Sequence, residues 1–296
     1  MSMAIRGWTT VTAWGLGREA FAGALERRPP PPVSSLEVRE ASGSLSIPFL
    51  KADLSAVKDF FPPRALRRVD PFGKIALLLA AALVKERSPG EREALGLIVA
   101  TGFGSFSTNM EFLDTAFAGG HAAASPMVFS STVHNSAMAA CAIQFGIRGP
   151  SLTLSMFEHS VPGALLLAQA WLERGLCPEV LLVASDDVPA LTAYFHARKG
   201  EVFDPERPET LLAEGGAAFL LGSGGGHSIC RSAAPADARY GTGGAPSHAY
   251  AYGRTYVAPA FELAAACLET DQREGAGRRI ALEFPGQPRW LLTRSG

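Results

Sequence analysis

Residues 131–175 read STVHNSAMAACAIQFGIRGPSLTLSMFEHSVPGALLLAQAWLERG, and the alternation within this stretch decides the fold class. Thr132 to Phe145 is a run of small and apolar residues with helical character, closed by Gly146. Gly149-Pro150 then punctuates the chain, and Ser151 to Ser155 reads as a short strand. A turn follows, and Val161 to Arg174 returns to an Ala/Leu-rich helix. Helix, strand and helix in close succession are the unit of layered α/β architecture.

The same rhythm continues on both sides. Ala4 to Thr12, Leu97 to Thr101, Val180 to Ser185 and Ala217 to Gly222 read as strands, and Gly73 to Glu86 as a helix. The three helices are apolar on most faces and are therefore expected to be buried. The proline run Pro29 to Pro32 reads as an early loop, and the Gly/Ala/Ser/Pro-rich segment Gly222 to Ser247 as a shortened connector. Neither composition requires an independent domain, and no solenoid or propeller repeat is visible.

The 296 residues are 47% hydrophobic and 19% charged, which places the chain among compact folded proteins. With 27 basic against 28 acidic residues, no global attraction to nucleic acid or anionic membrane is expected. The longest apolar run, Ile75 to Val84, is too short to span a bilayer, and the N-terminus lacks the pattern of a secretory signal; a cytoplasmic protein is expected. Cys141, Cys177, Cys230 and Cys267 are widely spaced without metal-ligand or CxxC patterns, so neither a metal site nor a disulfide framework is indicated.

Several features of the opening stretch recur in order in one family. A Ser-Thr at the head of a helix precedes Asn135; a small-residue helix ends at Phe145-Gly146; Gly149-Pro150-Ser151 turns into a strand that feeds a buried helix. Upstream stand the glycine turn Ala100-Thr101-Gly102-Phe103-Gly104-Ser105 and the segment Ser125-Pro126-Met127-Val128-Phe129. Downstream stand Leu182-Val183-Ala184-Ser185-Asp186-Asp187, Phe203-Asp204, Ala213-Glu214-Gly215-Gly216-Ala217 and Gly253-Arg254-Thr255-Tyr256-Val257-Ala258. Together they resemble the β-ketoacyl synthases of fatty-acid and polyketide synthesis, strongly from about Gly96 to Gly222 and weakly at both ends. The resemblance implies a thiolase-like α-β-α-β-α sandwich of two related halves: residues 1–222 as the first and a reduced 223–296 as the second.

In an active ketosynthase a cysteine sits where the strand after Gly-Pro turns into the helix, because a helix N-terminus stabilises the thiolate. The resemblance places Glu158 at that position. A carboxylate there is electrostatically comfortable but a poor acyl-accepting nucleophile. The Asn-Ala-His-Gly-Thr motif of the first catalytic histidine has no counterpart in Ser223 to Ser247; the second histidine maps to Arg254, or to nearby His248 if the alignment shifts. Phe284-Pro285-Gly286-Gln287-Pro288 replaces the glycine loop that supplies an oxyanion-hole amide, and proline has no N–H to donate. No catalytic residue is therefore expected, with Glu158, Arg254 and Phe284 as degenerate active-site positions, and no cofactor or metal.

Glu158-His159-Ser160 is not a catalytic triad, because neighbours on a turn point apart. Glu158 is either a polar plug paired with Arg254 or a plain helix cap. His134 and Asn135 begin a helix, where capping is the simple reading and contact with a partner subunit the family's. Met127, Val128 and Phe129 read as core from composition alone; the resemblance makes them, with His134, Asn135 and His159, candidates for the tunnel and interface. GSGGG, Gly222 to Gly226, lacks the lysine and helix start of a phosphate loop and reads as a flexible connector. Arg27, Arg28, Arg64, Arg67 and Arg68 are either solvated charge or a patch for an acidic carrier protein. The resemblance thus implies a non-catalytic, chain-length-factor-like subunit that forms a heterodimer with an active ketosynthase and works on acyl carrier protein. Alternatives are a malonyl-carrier-protein decarboxylase and a homodimeric acyl-binding scaffold.

Overall fold

The computed structural model describes residues 3–27, 32–40, 43–67, 69–241, 247–272 and 278–294. The strands are β1 (Met3–Thr12), β2 (Gly15–Leu16), β3 (Val33–Glu40), β4 (Gly43–Leu50), β5 (Gly96–Thr101), β6 (Ser151–Ser155), β7 (Glu179–Asp186), β8 (Leu212–Ala213), β9 (Gly215–Ser223), β10 (His227–Arg231), β11 (Ala238–Gly241), β12 (Arg279–Glu283) and β13 (Trp290–Arg294). The α-helices are α1 (Arg18–Leu25), α2 (Val57–Phe60), α3 (Pro71–Val84), α4 (Pro89–Glu93), α5 (Phe106–Gly119), α6 (Pro126–Phe129), α7 (Ser136–Phe145), α8 (Ser160–Glu173), α9 (Ala190–Arg198), α10 (Ala249–Tyr252) and α11 (Ala258–Gln272).

One large mixed sheet runs β11-β12-β13-β10-β1-β9-β7-β5-β6, with β2 folded onto the end of β1, and a small sheet β3-β4-β8 lies beside it. The chain reaches β5, β6 and β7 as parallel neighbours, while β9 joins β7 antiparallel. Alternate residues of the same strands feed two cores. Val99, Val183 and Ala218 face α3 and α7; Ile98, Leu182 and Phe219 face α8 and α11. This is why the strands read as nearly continuous apolar runs: both faces are covered.

Local chemistry explains the boundaries. Asp70 caps α3, its Oδ1 accepting the Gly73 N–H (2.6 Å), and Pro71 occupies the first turn, where a missing N–H costs nothing. Gly146 ends α7 in the left-handed conformation (φ 69°). Gly149 comes so close to the carbonyl of Leu95 that a β-carbon there would collide with it, which brings β6 alongside β5.

Four expectations need correction. The helix expected from Thr132 begins at Ser136, because residues 130–135 are taken up by turns closed through Ser130 and Thr132 hydroxyls onto the carbonyls of Met127 and Phe129. That helix is not buried all round: only Ala137, Cys141 and Phe145 are, and Ile143 is 83% exposed. The segment from Gly222 to Ser247 is more than a connector, since it carries β10 and β11. GSGGG is an ordered crossing in which Gly224, Gly225 and Gly226 all take positive φ, carrying the chain from one side of β1 to the other. The proline run, apart from Pro32, lies outside the described residues.

Candidate functional site

The parallel strands β5, β6 and β7 end together, and the crevice outside the carboxyl ends of such strands is where open α/β sheets place their sites. The turn after β5 is pinned there from three directions. Asp186, at the end of β7, accepts the Thr101 hydroxyl (2.5 Å) and the N–H groups of Gly102 (3.0 Å) and Phe103 (3.3 Å). Ser155, at the end of β6, donates to the Gly102 carbonyl (3.2 Å), and Ser160, at the start of α8, donates to the Thr101 carbonyl (2.7 Å). Gly104 takes φ 60° with the His134 ring packed against it, so a side chain there is doubly disfavoured.

Between β6 and α8 the chain makes a tight turn, Phe157–His159, with Phe157 at φ 53°. That angle is uncommon for an aromatic residue and marks a constrained position. Ser160 is fully buried, its hydroxyl committed to Thr101 and to the N–H of Met156 (2.7 Å), so it is unavailable as a nucleophile. His159 points elsewhere: its Nε2 lies 3.9 Å from Glu158 Oε1, and its Nδ1 is 3.4 Å from Gln287 Nε2. The Phe284–Pro288 loop therefore does meet the Glu158 turn, while Phe284 itself is buried in the core.

The Glu158–Arg254 pair expected from the sequence is not formed. The Glu158 side chain is 50% exposed, and Arg254 is bound instead by Glu201 (Nη2 to Oε2, 2.5 Å) beside His196. The physical reason is the backbone. Arg254 forms a backbone bridge beside Leu212, with its N–H donating to the Leu211 carbonyl (2.7 Å), and from there its side chain reaches His196 on α9 (3.3 Å). Close to Glu158 and Arg254 in sequence stand two members of a ring cluster: Tyr256 meets Phe103 edge to face at 4.9 Å, and Phe157 lies 5.4 Å from Tyr256. Burial, and next the Glu158 charge, push the Tyr256 hydroxyl up from its usual pKa.

Behind these rings is a cavity of about 230 Å³. Its lining combines the rings of Phe103 and Tyr256, the apolar Val188, Pro189, Leu212 and Ala213, the carboxyls of Asp186 and Asp187, and Thr192, His196 and Arg254. Burial raises Asp186 to about 6 and Asp187 to about 7, the latter helped by the carboxylates of Asp186, Glu214 and Asp70. Sequence reading missed Phe103, Phe157, Tyr256, His196, Glu201 and Asp187 as one group. They come from five segments, and no local spacing signals their meeting.

Asn135 sits at the N-cap of α7 without a side-chain cap bond, so the capping role is not observed. The helix start is held from α5 instead: Ser105 Oγ lies 2.7 Å from Ser136 Oγ, and Asn109 donates to the carbonyl of Thr132 (2.9 Å). His134 and Asn135 are exposed. Met127 (55% exposed) and Phe129 (59%) stand on α6 facing outward, with Val128 part-buried, so the composition-based core reading of this segment does not hold. Of the basic cluster, Arg27 stacks over Tyr250 (4.4 Å), Arg64 and Arg67 are exposed, and Arg28 and Arg68 lie outside the described residues. His248 is engaged away from the cavity, its Nδ1 3.0 Å from the buried carboxylate of Glu262. Among the described residues no group of His, Cys, Asp and Glu is arranged to hold a metal ion, and no helix is long and apolar enough to cross a membrane.

No curated protein sequence matches the chain. Among solved structures it is similar to the ishigamide ketosynthase/chain length factor (TM-score 0.79, 16% identity, 99% of each chain covered). It is also similar to a structure of the ketosynthase ApeO in complex with its chain length factor ApeC from Xenorhabdus doucetiae (TM-score 0.63, 15% identity, 99% of this chain and 100% of that one). A third likeness is to a type II polyketide synthase acyl-carrier protein in complex with its ketosynthase, AntDE:AntF (TM-score 0.71, 12% identity, 100% and 99%). At these identities the likeness establishes the fold. The family model for the β-ketoacyl synthase N-terminal domain matches residues 46–216, more than half of the sequence, and the chain therefore belongs to the β-ketoacyl synthase family.

Proposed function

We propose that this chain is a non-catalytic, chain-length-factor-like subunit that pairs with an active β-ketoacyl synthase during assembly of a polyketide, polyene or fatty-acyl chain on acyl carrier protein. The observation that carries the reading is the turn after β6, where a half-exposed carboxylate, Glu158, occupies the position at which the family resemblance calls for a cysteine. None of the four cysteines lines the cavity or that turn: Cys141, Cys177 and Cys267 are buried in the cores and Cys230 is on β10. The likeness to structures of chain length factors and of a ketosynthase with its carrier protein supports the same reading.

The surface suits a partner. β6 is an edge strand that carries exposed Leu152 and runs into exposed Met156 and Phe157, and Ile143 on neighbouring α7 is exposed as well. An uncovered strand edge flanked by apolar side chains favours pairing with another chain. In this role Met127, Val128 and Phe129 border the partner's acyl tunnel, with His134, Asn135 and His159 near the contact, and the chain acts as two related halves, 1–222 and a reduced 223–296, in the cytoplasm. The likeness to the ketosynthase and chain length factor pair ApeO and ApeC is consistent with an aryl-polyene-type system. Co-expression with a ketosynthase encoded beside it, followed by native mass spectrometry, tests this: a one-to-one complex is expected, and a chain that forms only its own homodimer contradicts it.

A further inference from the structure

The cavity behind the aromatic rings is lined by two buried carboxyls, Asp186 and Asp187, and the one lining arginine, Arg254, is paired with Glu201. Asp187 is 5% exposed, lines the cavity, and its Oδ1 has no hydrogen-bond partner. Its carboxylate neighbours are Asp186, Glu214 and Asp70, and the side chain that hydrogen-bonds it is Ser107, a neutral group. The cations nearby are spent elsewhere: Arg254 on Glu201, Lys51 facing Glu214 and Lys74 facing Asp70. A buried carboxyl oxygen left without a donor is costly, and structures rarely keep one without a reason.

We infer that this cavity binds a small organic molecule bearing a primary ammonium group, which donates to Asp187 while its apolar body packs against Phe103 and Tyr256. The volume, about 230 Å³, exceeds the roughly 150 Å³ that admits benzene, so a ring with a short aminomethyl arm fits. The two rings present faces and edges suited to an aromatic or cationic guest. A bare metal ion is the weaker candidate, since no three ligating side chains converge among the described residues. The ammonium ligand would bind this chain alone, with or without a ketosynthase partner.

Titration calorimetry of the purified chain with benzylamine, and with benzoate as the anionic counterpart, tests it at pH 6 in buffers of different ionisation heat. Benzylammonium is expected to bind saturably and at least about tenfold more tightly than benzoate. Binding converts the neutral Asp187 carboxyl to the carboxylate and releases its proton, so the heat should vary with the buffer. Asp187→Asn should weaken binding about tenfold or more, and Thr192→Trp, which fills the cavity from α9, should abolish it even if the first variant does not fold. Absence of saturable heat, equal binding of benzoate, or undiminished binding by both variants overturns the inference.

Discussion

At Asp186 and Asp187 burial works against charge, and the sign of the consequence can be worked out. Both carboxyls are raised from 3.8, to about 6 and about 7, mainly by desolvation, and Asp70 and Glu214 move in the same direction. A raised acid stabilises the fold fully below its unfolded pKa and loses that contribution as pH rises through the folded value. The denaturant midpoint should therefore fall between pH 5 and pH 8. Buried His227, whose pKa is lowered, acts oppositely below its usual range. Asp187→Asn should flatten the decline, and urea melts of the two proteins across pH would show it; a parallel decline in the variant would contradict the assignment. The cysteines give a second residue-scale outcome. Cys141 is pushed up to about 12 by burial, and Cys177 and Cys267 are also raised. Iodoacetamide at pH 8 should label only Cys230 in the folded protein, read by peptide mass mapping. At this scale the sequence was legible where a backbone rule speaks, as at Gly146 and Gly149-Pro150, while the Asp70 cap of α3 went unread. It was opaque where a partner lies far along the chain: nothing near Arg254 announces Glu201, because the two meet only once the chain has brought Arg254 beside Leu212 and α9.

Among the elements, the core strands and α3 were readable because burial on both faces leaves an unbroken apolar run, as in β5 (Gly96–Thr101) and β7 (Glu179–Asp186). The elements misread were those covered on one side only. The sequence of α7 is apolar enough for a core helix, yet Ile143 faces outward, and no single-chain pattern separates a buried helix from one awaiting a partner. Ile143→Asp should leave the chain's own stability within about 0.5 kcal/mol while weakening association with a ketosynthase, measured by denaturation and by analytical ultracentrifugation. Unchanged association would remove α7 from the interface. Within the sheet, a methyl group on Gly216 would run into the carbonyl oxygen of Ala184 on β7. Gly216→Ala should therefore cost about 2 kcal/mol or more in urea denaturation, since backbone carbonyls in a buried ladder cannot retreat.

Over the whole molecule, a sheet continuous from β11 to β6 brings three parallel strand ends to one crevice and leaves β6 as an open edge. The crevice is filled by Phe103, Phe157 and Tyr256 in front of an acidic cavity, and the edge is rimmed by exposed apolar side chains. The proposed placement of Glu158 at the family's nucleophile position, beside a surface suited to another chain, fits a subunit that shapes a reaction carried out next door. The most direct test is the rate of carrier-linked chain elongation by a purified complex of this chain with its ketosynthase, compared for Glu158 and Glu158→Ala. Elongation that requires the chain's presence yet stays within about twofold in the variant is the predicted result. Elongation by this chain alone, or its loss on removing the Glu158 carboxylate, would contradict a non-catalytic role.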